Sequence, residues 1–126
     1  MIYIYKAELV RVVDGDTVDL IIDLGFDTSR RERFRLYGID APEMNTQEGK
    51  AAKAWLWYAL QPLEAIYVQT IQLETKGKRD KYGRFLAVLY DDLGDIQASR
   101  LMKTLVAPVS INAQMITEGH AKERYW

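Results

Sequence analysis

A candidate strand and a cleanly alternating apolar run meet at Asp14-Gly15, and no other feature of the chain restricts its fold as tightly. An Asp-Gly pair flanked by alternation is a strong short-range signal for a β-hairpin, because the favoured two-residue turn needs positive φ at its centre. Lys6 to Val13 reads as the first strand. In the second, Val18, Leu20, Ile22 and Leu24 point to one face, and Thr17, Asp19 and Asp23 to the other. Gly25 to Ser29 makes a polar connection into Arg31 to Tyr37, where Phe34 and Leu36 share one face and Arg33, Arg35 and Tyr37 the opposite one. Arg35 is therefore expected to point away from the apolar side.

Pro42 ends this stretch, and Asn45 with Glu48 three residues on predicts a capping box that opens a helix. Ala51, Ala54, Trp55 and Tyr58 fall on one helical face, with Leu56 and Ala59 beside it and Pro62 as the stop. Ile66 to Leu73 and Phe85 to Tyr90 read as two further strands joined by a basic loop. Ala98, Leu101, Met102 and Leu105 have helical spacing up to Pro108, and Ile111, Met115 and Ile116 predict a last short helix stopped by Gly119. Five strands with interposed short helices define an α+β chain built on a small barrel of the OB type. With 126 residues and no repeat or linker, residues 1–126 are expected to form one domain.

Composition removes several classes of function. Without cysteine there is no disulfide, thiolate metal site or cysteine nucleophile. The apolar runs are short and interrupted by acids, as in Val18 to Leu24, so no membrane span is expected. The start of the sequence shows no signal-peptide pattern, which makes a cytoplasmic protein the default expectation. The net charge of −1 does not suggest bulk attraction to nucleic acid, but cations cluster from Arg30 to Arg35 and from Lys76 to Arg84. Adjoining in space, the two clusters would form a phosphate-binding face; apart, they would be solvated loops.

Three short segments carry the chemistry: Asp14-Gly15-Asp16-Thr17, then Arg35 to Glu43, then Asp80-Lys81-Tyr82-Gly83-Arg84. Asp16 after a tight turn and Asp40 at a strand end are placed to converge on a hard cation, to which Ala41 offers only its main-chain carbonyl. Glu43 is close enough in sequence to Asp40 to accept a proton from a nearby water. Arg35 and Arg84 carry planar forks that bind phosphate oxygens in pairs, which a lysine cannot do. Together this inventory fits metal-assisted cleavage of a phosphodiester. Each part also has a structural reading: aspartates are common turn residues, and Arg35 could pair with any nearby carboxylate. His120 and the tryptophans Trp55, Trp57 and Trp126 read as packing or surface residues.

The order and wording of these segments resemble the staphylococcal-nuclease-like (thermonuclease) family, from Asp14 to Glu43, from Lys76 to Arg84, and again in Ile111 to Met115 and Gly119 to Lys122. The resemblance implies a five-stranded OB barrel and calcium-dependent hydrolysis of DNA and RNA, single-stranded or locally melted, leaving 3′-phosphates. It places the calcium ligands at Asp16, Asp40 and the carbonyl of Ala41, the water-activating group at Glu43, and the phosphate-binding arginines at Arg35 and Arg84. It also implies that Lys81 and Tyr82 hold a terminal phosphate and that a base stacks on Tyr125. Departures from the pattern are an alanine at position 41, a shorter loop after Glu43, no terminal helix, and an extra segment at about 91–107. That segment is expected to cover the barrel, with self-association into a homodimer as the alternative for its apolar stripe. The rival function is a catalytically silent OB-fold module that binds nucleic acid or protein.

Overall fold

Alternation along the first three strands closes a barrel. The computed structural model of the chain describes residues 3–71, 84–94 and 109–125. Strands β1 (Tyr3–Asp14), β2 (Thr17–Asp23) and β3 (Ser29–Leu36) form an antiparallel meander. The two-residue strand β4 (Ile39–Asp40) leads to helix α1 (Gln47–Leu60), then β5 (Ile66–Ile71) and β6 (Phe85–Tyr90). Helix α2 (Ile111–Thr117) and the short β7 (Lys122–Glu123) follow. The barrel closes in the order β1-β2-β3-β6-β5, with β3 and β6 parallel and the other pairs antiparallel. This is the expected OB architecture, and β4 pairs with β7 outside it.

Inward-facing Val12, Val18, Leu20, Ile22, Phe34 and Leu36 fill the barrel, and Leu56 and Leu60 of α1 with Ile111 and Met115 of α2 join them. Full burial of each such side chain removes apolar surface worth roughly 1.5–3 kcal/mol. Among the described residues, no helix is long and apolar enough to cross a membrane.

Several expectations change in detail. Strand β1 begins at Tyr3 rather than Lys6. Leu24 is 43% exposed at the hairpin tip, whereas Thr17 and Asp19, on the opposite face by alternation, are buried beneath arginine side chains on the outer face of the barrel. The N-cap of α1 is Thr46, whose hydroxyl accepts from Gly49 N, so Asn45 and Glu48 form no capping box. Its buried face is Gly49, Ala52, Leu56 and Leu60, while Tyr58 is 71% exposed. The reason is close approach: a side chain on Gly15 would lie 2.8 Å from the Ala52 Cβ, and one on Gly49 would overlap the Glu43 carbonyl at 1.9 Å. Where a helix presses this tightly on a turn, small residues face inward; Tyr58 turns outward, and Trp55 stays partly buried at the edge of the core. Helix α2 ends as expected at Gly119: Gly119 N donates to Ile116 O and His120 N to Met115 O, a Schellman closure. The apolar stripe at Ala98 to Leu105 lies outside the described residues, as do Lys81, Tyr82 and Trp126.

Candidate active site

The site begins at the β1–β2 turn. Two β-bulges in β1 shift its register, after Leu9 and again after Val12, so that Asp14 comes to face Thr17. Bulges of this kind re-aim side chains beside functional sites. Asp14 Oδ1 accepts from Asp16 N at 3.0 Å, and the Thr17 hydroxyl donates to Asp16 Oδ1 at 3.2 Å. Asp16 Oδ2 accepts from Ala41 N at 2.9 Å, which ties this turn to the segment following β4.

Arg35 occupies the centre. It lies at the end of β3 on the outer face, as the alternation predicts, yet only 3% of its side chain is exposed. One guanidinium nitrogen donates to Leu36 O at 2.8 Å, and the other bridges Asp16 Oδ2 at 3.4 Å and Asp40 Oδ1 at hydrogen-bond distance. The two carboxylates picked out from the sequence thus meet at a single nitrogen atom. Burial pulls the Arg35 pKa below its ordinary value, and the charges of Asp16 and Asp40 oppose that shift. Burial, followed by the Asp14 side chain, pushes Asp16 up to about 6, against the pull of Arg35 and of the Ala41 N–H.

Asp40 reaches this point because the chain leaves the barrel after Leu36, turns at Gly38 (φ +82°) and pairs β4 with β7. The same pairing delivers a residue that sequence reasoning missed. Arg124 N donates to Gly38 O at 2.9 Å, and its guanidinium lies 3.3 Å from Asp40 Oδ1. No local pattern could have identified Arg124, since its partner lies 84 positions away and the connecting strands have two residues each.

Arg84, just before β6, donates to the Thr17 hydroxyl at 3.2 Å, which sets it beside the same turn. Glu43 is exposed and fixed through its main chain: its carbonyl accepts from Thr46 N and from the Thr46 hydroxyl, at the cap of α1. Tyr125 is 89% exposed and its hydroxyl donates to Glu123 at 2.9 Å, so it is not packed into the core. His120 lies against Trp55 with ring centroids 5.9 Å apart, in keeping with a packing role.

A hard cation suits this donor set. Asp16 and Asp40 supply two carboxylates, here bridged by the Arg35 guanidinium, and the main chain of Ala41 is adjacent through its N–H. Among the described residues, no three acidic or histidine side chains gather into a ready-made cage. Main-chain carbonyl and water oxygens would have to complete the shell.

Residues 33–126, most of the chain, match the family described as Staphylococcal nuclease homologue. A micrococcal nuclease of Shigella flexneri is 32% identical over 121 residues, which span 93% of this chain and 57% of that protein. Protein ParB of Escherichia coli is 29% identical over 116 residues, 92% of this chain and 55% of the relative. An uncharacterized endonuclease of Escherichia coli O157:H7 is 35% identical over 84 residues, covering 67% and 47%. The chain therefore spans about half the length of the curated relatives it matches. These similarities, with a barrel of the expected topology, place the chain in the staphylococcal nuclease homologue family.

Proposed function

We propose that this chain is a calcium-dependent nuclease that hydrolyses phosphodiester bonds of DNA, RNA or both and leaves 3′-phosphates. The observation that carries this reading is the meeting of Asp16 and Asp40 at Arg35, with Arg84 on the neighbouring Thr17. Asp16, Asp40 and the carbonyl of Ala41 would hold the ion, which when bound supplies positive charge to a phosphate oxygen and acidifies water.

The remaining chemistry falls to the chain's own side chains. Arg35 and Arg84 bind the phosphate oxygens and meet the added negative charge as a fifth oxygen approaches phosphorus. Glu43 takes a proton from the attacking water as the new P–O bond forms. The bond from phosphorus to the 5′-oxygen breaks, the 5′-oxygen leaves as a hydroxyl with a proton from solvent water, and the phosphate stays on the 3′ side. Arg124 adds a third guanidinium next to Asp40. Lys81 and Tyr82 are assigned to a terminal phosphate, and Tyr125 to base stacking on single-stranded or locally melted substrate. Stacking of this kind is worth about 1–3 kcal/mol per base.

Digestion of single-stranded DNA and RNA with calcium, with magnesium and with excess chelator tests the proposal, with end-group analysis of the products. Cleavage should require calcium, because magnesium demands a tighter octahedron and releases its waters reluctantly. Equal cleavage in chelator would overturn the metal-assisted reading, and binding without cleavage would leave a silent module.

A further inference from the structure

Beyond the scissile phosphate, the outer face of β3 continues as a line of cations. Arg31, Arg33 and Arg35 alternate onto that face, opposite Ile21, Asp19 and Thr17 of β2. Side chains on one face of a strand recur every two residues, about 6.8 Å apart. That interval is close to the separation of successive phosphates in an extended single strand.

A fourth cation joins them through the first bulge of β1. Arg11 is brought opposite Asp19, whereas unbroken alternation from the inward-facing Ala7 and Leu9 would have turned it into the barrel. Asp19 of β2 lies between Arg11 of β1 and Arg33 of β3 in the register of the sheet. It accepts two hydrogen bonds from Arg33, at 2.7 and 3.1 Å, and lies 3.7 Å from Arg31. Asp19 thus fixes the Arg33 guanidinium and draws Arg31 toward it, while Asp14 acts on Arg33 from the turn side. Arg31 and Arg33 keep 62% and 48% of their side chains exposed. Glu8, opposite Ile21, lies at the β1 side of this face and so bounds the positive strip.

We propose that Arg31 and Arg33, with Arg11, form a track for the sugar–phosphate backbone of single-stranded nucleic acid leading away from Arg35. The proposal rests on the nuclease reading for its starting point, the phosphate at Arg35. Three features favour a single strand: the spacing of the β3 arginines, their continuity with the site, and their arrangement in one line, which Arg11 flanks. The arginines need no base contacts, so the track would be indifferent to sequence.

Binding measured in chelator separates this track from catalysis. A labelled oligothymidylate of about 12 nucleotides, within the span one OB barrel covers, is titrated by fluorescence anisotropy across a salt series. The double variant Arg11→Gln/Arg31→Gln should bind at least about tenfold more weakly, with a salt slope shallower by about 1.4 for two lost phosphate contacts. Lys6→Gln, which removes a charge from the far end of β1, should change neither quantity. Should the double variant not fold, Arg31→Gln alone should give about half the change in slope, roughly 0.7. Wild-type affinity and slope in the arginine variants would overturn the track even if calcium-dependent cleavage is found. An equal loss from Lys6→Gln would reduce the effect to bulk charge and also overturn it. Equal dependence of duplex binding on the arginines would overturn the single-strand assignment. The expected losses in a protein that never cleaves would support the track while refuting the nuclease reading.

Discussion

Asn112 completes a β-ladder that the backbone leaves unfinished, and removing its amide should cost more than any surface change. Strand β3 pairs with β6 only from Phe34↔Phe85 to Leu36↔Ala87, and Tyr37 N still donates to Ala87 O at 2.8 Å. Beyond this point the chain swings away toward Asp40, and the fully buried Asn112 takes its place. Its Nδ2 donates to Tyr37 O at 2.8 Å and to Ala87 O at 3.1 Å, and its Oδ1 accepts from Leu89 N at 3.0 Å. Replacing Asn112 by leucine, similar in size, strips the Leu89 N–H and the Tyr37 carbonyl of this partner, whereas Ala87 O keeps the Tyr37 N–H. An unsatisfied buried polar group costs about 1–3 kcal/mol, so Asn112→Leu should lose about 3 kcal/mol. For a chain of this size that corresponds to a fall of about 10 °C in thermal midpoint. Asn112→Asp should be at least as damaging at neutral pH, because it sets a buried carboxylate oxygen against two carbonyls. It should regain stability on acidification, since the protonated acid can again donate to Tyr37 O. Urea unfolding at pH 7 and pH 4 measures both effects. A loss below about 1 kcal/mol for Asn112→Leu would refute the ladder argument.

Three further outcomes are expected. Glu43→Gln should lower turnover by about a hundredfold or more while leaving calcium affinity nearly intact, whereas Asp40→Asn should weaken calcium binding itself; titration calorimetry beside rate measurements separates the two, and equal calcium affinity in both would contradict the assigned roles. Gly49→Ala should lower the thermal midpoint even though alanine gains about 1 kcal/mol in helix propensity, because its Cβ would overlap Glu43 O; a raised midpoint would show that the contact relaxes freely. Hydrogen bonds from Arg33 pull the Asp19 carboxyl below its ordinary 3.8, so its contribution to stability is present above that value and fades as the pH falls through the lower native one. Asp19→Asn should therefore be less stable than wild type at pH 7, with the gap narrowing in strong acid; a gap constant from pH 7 to pH 2 would refute the linkage.

Strand alternation and punctuation were readable because their causes are local. Period-two alternation in β2 and β3, the Asp14-Gly15 turn and the Gly119 stop each depend on a few neighbouring residues, and they carry the five-stranded barrel with them. The outward direction of Arg35 follows from the same alternation. Which stripe of α1 turns inward was not readable, because two stripes compete and the choice falls to Gly49 and Ala52, packed against Glu43 and Gly15. The burial of Asp19 and Thr17 was equally hidden, since arginines from β3 and from the start of β6 cover them on the outer face. Sequence alone thus determined the barrel and, Arg124 excepted, the identities of the charged groups in the candidate site. Tertiary structure decided how they meet, because the bulges of β1, the departure of β3 at Gly38 and the β4–β7 pairing are set by contacts between residues far apart in the chain. That is why Asp16, Asp40 and Arg124 converge around Arg35 although nothing near any one of them in sequence requires it.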